Sequence, residues 1–166
     1  PPYTQKFRYN DIEAEIIFIA LDGLDDVDKL LSFECTGIWF NEAREQQKDI
    51  LDAATGRVGR YPRKADGGCS WAGVIMDTNP PDDSHWWHTM FEEEKPPNWE
   101  LFHQPGGTTP EAENFGNLPD GYYDNMSYGK TKEWINVYVN GKYGFIQDGK
   151  PVYGSSWNDD LHTAQE

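Results

Sequence analysis

Two apolar runs, each closing on polar residues and separated by one amphipathic stretch, constrain this chain more than any other feature. Thr36-Gly37-Ile38-Trp39-Phe40 leads straight into Asn41-Glu42, and Trp71-Ala72-Gly73-Val74-Ile75-Met76 leads into Asp77-Thr78-Asn79-Pro80-Pro81. Continuous apolar runs of this length read as strands covered on both faces, the kind found in α/β sheets. Between them, Ala43, Ile50, Leu51 and Ala54 recur on one helical face, with Arg44, Glu45, Lys48 and Asp49 left to water and Gly56 as the expected stop. The prolines at 80 and 81 forbid further pairing of the second strand.

Ile16-Ile17-Phe18-Ile19-Ala20-Leu21 reads as another buried strand. After Asp25-Asp26, the spacing of Val27, Leu30 and Leu31 gives a short helix ending near Phe33. A further helix is expected from an N-cap at Asp83 or Ser84 to about Glu94, and a shorter strand over Trp99 to His103. Strands alternating with helices imply a layered α/β sheet with parallel neighbours. Pro105 to Pro119, rich in Gly, Pro, Thr and Asn, marks a loop or boundary. Tyr122 to Tyr128 and Thr131 to Val139 then read as two short helices broken at Gly129, with Gly141 closing the second and a linker from Lys142 onward.

At 166 residues the chain suits one main domain. No run approaches the roughly 18 apolar residues of a membrane span, and Pro1-Pro2-Tyr3-Thr4 does not begin a signal peptide, so no membrane residence and no export are expected. Cys35 and Cys69 lie outside any C-x-x-C pattern, which points to neither a disulfide framework nor a thiolate zinc site and fits a reducing cytoplasm. A net charge of −15 opposes a polyanion at long range, so any DNA contact must be local. Arg57, Arg60, Arg63 and Lys64 break the acidic pattern, with four of the fourteen basic side chains inside eight residues. Seven tryptophans also suit a non-enzymatic surface that stacks flat rings or binds a partner protein.

In a RecA-like nucleotide hydrolase one central strand ends in an acidic pair, of which the first residue helps hold Mg²⁺ and a glutamate orients the attacking water. Phe40-Asn41-Glu42 has that form, as does any strand that simply ends in polar residues. Thr78-Asn79-Pro80 ends a second strand, where a hydroxyl and an amide are placed to sense a γ-phosphate, and open α/β sheets hold ligands at such carboxyl ends. A turn accounts for Asn-Pro-Pro equally well. The phosphate loop G-x-x-x-x-G-K-[ST] is missing: Gly129-Lys130-Thr131 has Asp124 where the first glycine belongs. Arg60, Arg57 and Arg63 offer an arginine finger to an adjacent subunit or a contact to a DNA phosphate, against the plain alternative of a solvated loop. His85 and His88, near Asp82 and Asp83, fit a capped amphipathic helix better than a metal site.

Ala20-Leu21-Asp22, Lys29-Leu30-Leu31-Ser32-Phe33-Glu34, Trp39-Phe40-Asn41-Glu42-Ala43, Gly59-Arg60-Tyr61-Pro62 and Asp77-Thr78-Asn79-Pro80-Pro81 together resemble the large terminase subunit of tailed bacteriophages. Gly121-Tyr122-Tyr123, Trp134-Ile135-Asn136-Val137-Tyr138-Val139 and Gly141-Lys142-Tyr143-Gly144 continue the resemblance into a lid and linker. It implies a partial RecA-like (P-loop NTPase) layered sheet with helices on its faces over residues 1–104, a helical lid over 105–141, and a linker over 142–166 toward a nuclease domain. Asp159, Asp160 and His162 then fall before that nuclease rather than in it.

The implied activity is ATP hydrolysis coupled to translocation of double-stranded DNA into the procapsid, with the segment inactive alone because it begins after the phosphate loop. By the same resemblance Glu42 is the catalytic glutamate of the Walker B motif, Asn41 stands where the family has an aspartate, and Thr78, Asn79 and Pro80 are the coupling motif. An amide oxygen at 41 can ligate Mg²⁺ or its water but brings no charge. ATP with Mg²⁺, a homo-oligomeric ring, the portal protein and the small terminase subunit are the implied partners, in the cytoplasm of an infected bacterial host.

Overall fold

The computed structural model describes residues 3–21 and 27–144. The chain divides into two compact units, Pro1–Thr78 and Asn79–Glu166. Its class is mixed α and β, and the strands of the described residues form two small sheets of two strands each, one antiparallel and one parallel.

The first unit opens with a hairpin in which β1 (Tyr3–Tyr9) pairs antiparallel with β2 (Ile12–Phe18) across the loop Asn10-Asp11. Asn10 takes a left-handed φ of 54°, a conformation its short polar side chain tolerates. Tyr3 lies opposite Phe18, Phe7 opposite Ala14 and Tyr9 opposite Ile12. The two-residue period then sorts the side chains: Tyr3, Gln5, Phe7, Tyr9, Ile12, Ala14, Ile16 and Phe18 share one face, and Thr4, Lys6, Arg8, Glu13, Glu15 and Ile17 share the other. On the second face Lys6 pairs with Glu15 at 3.2 Å. The expected buried strand over 16–21 is thereby corrected: the strand stops at Phe18, and Ile16, Ile17 and Phe18 are exposed. The apolar run alone points to burial, but the alternation in Tyr3–Tyr9 and the Asn-Asp turn supply a local partner instead.

Beyond α1 (Val27–Leu31), the strand β3 (Gly37–Phe40), a 3₁₀ turn over Ala43–Glu45, α2 (Lys48–Thr55) and β4 (Gly73–Met76) form a strand–helix–strand unit. β3 and β4 run parallel, Gly37 opposite Gly73 and Phe40 opposite Met76. Parallel neighbours need a crossover, and α2 lies within it. Ile50, Leu51 and Ala54 are buried as their spacing requires, and with Leu30, Phe40 and Ala43 they make the core of this unit. Each fully buried Ile or Leu contributes about 1.5–3 kcal/mol. Gly56 does end α2, in right-handed geometry at φ −77°.

Cover on both faces, the expectation for β3 and β4, holds for one face only. On the other, Trp39, Ile75 and Trp71 are 70%, 56% and 53% exposed. Trp71 reaches this face by lying across the Gly37·Gly73 rung, where a Cβ on Gly37 would come within 2.5 Å of its ring. Only glycine admits that approach.

In the second unit the cap of the expected helix falls at His85, one or two residues late. Asp82 accepts from the Ser84 N–H at 2.9 Å and from its hydroxyl, closing a local turn, and the His85 ring caps the helix by accepting from the Trp87 N–H at 3.1 Å. One turn, α3 (Trp86–His88), widens into a π turn over Thr89–Glu94 that ends at Lys95 with φ 47°. Trp99 to His103 joins no ladder, so the fourth strand expected there is absent from the described residues. Trp87, Met90, Phe91, Val137 and Val139 form the buried core.

The 105–119 segment is irregular, as expected, apart from a 3₁₀ turn at Phe115–Asn117, and it is tied down where the Gly107 N–H donates to Val139 O at 2.7 Å. α4 (Tyr122–Ser127) and α5 (Lys132–Tyr138) match the two expected helices, with Gly129 between them at φ 72°. Most of the expected linker, with Asp159, Asp160 and His162, lies outside the described residues. Among the described residues no helix is long and apolar enough to cross a membrane.

Candidate functional site at two strand ends

β3 and β4 end side by side, and the pairing runs past the strands themselves. The Asp77 N–H donates to Phe40 O at 3.1 Å, and the Ala43 N–H donates to Asp77 O at 2.9 Å. Reaching Asp77 from Ala43 requires a sharp turn at Glu42, which sits in the left-handed region at φ 53°, ψ 52°. A glutamate there carries strain of order 1–3 kcal/mol. Glu42 is half-buried and Asn41 exposed. Thr78 Oγ1 accepts from the Arg44 N–H at 3.3 Å, so its hydroxyl oxygen is fixed beside the turn.

Asn41, Glu42, Asp77 and Thr78 therefore meet at one sheet edge. Asn79 and Pro80 open the second unit and are half-buried there. Asp77 was not singled out by sequence, although its position as the first polar residue of the second run pairs it in register with Asn41. Its carboxylate accepts from Trp39 Nε1, which orients both side chains.

The arginines lie at the other end of β3. Gly59 donates to Thr36 O at 3.1 Å, Arg60 N–H to Cys35 O at 3.1 Å, and Thr36 Oγ1 to Tyr61 O at 2.7 Å. Six residues of nearly extended chain separate Thr36 from Glu42, about 15–20 Å. Arg57 Nη1 donates to Leu31 O at 3.0 Å, holding the carboxyl end of α1, and Arg63 pairs with Asp66 at 2.9 Å. Arg60 is exposed, and its guanidinium has no partner among the described residues. The cluster thus stands away from Glu42 of the same chain. Burial pushes the neighbouring Cys35 thiol above its ordinary value.

Three sequence features resolve into structural roles. His85 is a helix cap, and His88 Nδ1 lies 3.2 Å from Glu93. Thr131 caps α5 by accepting from the Trp134 N–H at 3.2 Å, and Lys130 lies over the Trp134 ring, which explains the Gly-Lys-Thr sequence without a phosphate loop. A second polar group escaped sequence reading: Glu92 Oε1 accepts from the Tyr143 hydroxyl at 3.0 Å and lies 3.1 Å from His103 Nε2. These residues are 11 and 51 positions from Glu92, so no local spacing links them. Burial and the Glu92 carboxylate push Tyr143 up to about 12. Glu92 and His103 line a cleft of about 270 Å³ with Phe91 and Trp99.

No group of three or more His, Cys, Asp or Glu that could hold a metal occurs among the described residues. Asn41 and Glu42 suit a Mg²⁺ that arrives with its phosphate ligands, since Mg²⁺ takes one or two protein oxygens and keeps its other ligands. No protein-family model, curated protein or solved structure matches the chain.

Proposed function

We propose that the chain is a section of a viral DNA-packaging ATPase of the large terminase kind, with β3 and β4 as neighbouring strands of a RecA-like core. The observation that carries this reading is the parallel pairing that brings Asn41-Glu42 beside Asp77-Thr78 at the carboxyl ends of two strands. Ligands of open α/β sheets bind at such ends. Glu42 polarises and orients the attacking water there, through a carboxylate that has no partner among the described residues. Asn41 would offer an uncharged oxygen to a bound Mg²⁺. Mg²⁺, brought by ATP, supplies charge neutralisation at the phosphates.

Thr78, held by the Arg44 N–H, passes the state of these strand ends along the chain into Asn79-Pro80, the coupling motif, and α4 and α5 correspond to the lid helices of that family. Arg60, remote from Glu42 along β3, reaches a phosphate of a neighbouring subunit's nucleotide or of DNA. The portal protein and small terminase subunit are the remaining partners of such a ring.

ATP turnover by this chain mixed with a polypeptide that carries a strand followed by G-x-x-x-x-G-K-[ST] tests the reading. Glu42→Gln should lower the restored rate about 10²- to 10⁴-fold, the usual range for a lost general base. Equal rates for the two proteins would overturn it.

One observation favours a second reading, a non-enzymatic binding module: Trp39 and Trp71 are open on the same sheet face. A flat aromatic or sugar ligand stacking there would quench tryptophan emission in the wild type and not in Trp39→Ala. No quenching by such ligands sets this reading aside.

A further inference from the structure

The hairpin presents an exposed apolar face built from both of its strands. Tyr3, Phe7, Tyr9, Ile12, Ile16 and Phe18 share it, each between 43% and 70% exposed. Two strands with one bare apolar face are marginal in water. We infer that this face pairs with the same face of a second copy of the chain, hairpin against hairpin about a two-fold axis.

Area is the first argument. Four rings of roughly 150–250 Å² each, taken with the two isoleucines and their exposures, leave on the order of 700 Å² uncovered. A standard interface buries about 800 Å² per partner.

Self-complementarity is the second, because a two-fold contact must offer bump and hollow on one patch. Phe7 opposite Ala14 in register offers both. Gln5 is the one polar side chain on this face apart from the tyrosine hydroxyls, and its amide is already engaged: Nε2 donates to Lys6 O at 3.0 Å, and Oε1 accepts from the Tyr3 hydroxyl at 3.2 Å. Covering it leaves neither group without a partner.

Charge is the third. The chain carries −15 overall, which repels a copy, yet residues 3–18 hold two basic side chains, Lys6 and Arg8, against three acidic ones, Asp11, Glu13 and Glu15. The two basic residues and both glutamates lie on the opposite face, so two acidic chains approach at this nearly neutral hairpin with little local repulsion. This contact stands apart from the ATPase reading, which it neither needs nor supplies.

Sedimentation velocity of the full 166-residue chain across the micromolar range tests the inference. The wild type should move toward twice its 19.1 kDa as concentration rises. Ile16→Glu should hold it at the monomer, while Ile17→Glu, the same change one residue on and on the opposite face, should leave the dimer intact. A wild type that stays monomeric throughout overturns the inference, as does a dimer insensitive to Ile16→Glu or equally broken by Ile17→Glu. Hydrogen exchange on the wild type needs no variant to fold: amide protection in residues 3–18 should rise with concentration, and protection that stays constant overturns the inference as well.

Discussion

Ile16 and Ile50 are the same side chain in the same unit, one 45% exposed and the other 1%. Ile16 sits in a hairpin whose strands find each other across two residues. Ile50 sits in the helix that lies between two parallel strands. Local antiparallel pairing satisfies the backbone without bringing a second layer, whereas a parallel pair needs a crossover, and the crossover helix covers one face as it goes. Cover in this chain therefore follows connection length more closely than the hydrophobicity of any run.

The largest expected effect tests this contrast directly. Ile50→Ala should cost about 2–5 kcal/mol in urea denaturation, the usual range for an emptied core site. Ile16→Ala, measured dilute enough to keep copies apart, should stay within about 0.5 kcal/mol. Comparable losses would break the contrast.

A smaller effect sharpens it at the bare face of β3–β4. Gly37→Ala meets the Trp71 ring and should lose about 1–3 kcal/mol, as overpacked sites do. In a Trp71→Ala background most of that loss should vanish, and Gly116→Ala, with open space around it, should be neutral. Additive behaviour of Gly37→Ala and Trp71→Ala would mean the indole does not hold this face.

The smallest effect asks whether cover also reaches the polar groups of the second unit. Tyr143 is raised from 10.0 to about 12, so the neutral phenol is favoured by the fold. Its contribution is complete below pH 10 and disappears as pH rises from about 10 to about 12. The absorbance at 295 nm that Tyr143→Phe removes should appear late in an alkaline titration, and Glu92→Gln should bring it forward. Near neutral pH neither change should alter stability through this ionisation.

Sequence periodicity makes the strand–helix–strand unit legible because Ile50, Leu51 and Ala54 answer to one helical face and the strand ends to a change from apolar to polar, although Ala43, expected on the same face, is buried from a separate 3₁₀ turn before the helix. The place of Asn41, Glu42 and Thr78 at neighbouring strand ends is legible for the same reason, whereas the place of Asp77 beside them, and of the arginines at the opposite end of β3, depends on strand register and loop path. The hairpin is not legible within residues 16–21, because their apolar composition points to burial while the partner strand lies at Tyr3–Tyr9. The start of α3 was misplaced because Asp82 and Ser84 satisfy each other, leaving the cap to a histidine ring. The Glu92–Tyr143–His103 group is set by tertiary packing, beyond the reach of spacing rules.

The left-handed backbone at Glu42 sets a backbone preference against a side-chain preference at one position. Glycine would relieve the backbone there and raise stability. A population selected only for folding would drift toward glycine at 42, and one selected for water activation would keep the carboxylate and tolerate the strain. Sequencing survivors of the two selections would therefore show, at a single codon, whether anything beyond the fold keeps the glutamate in place.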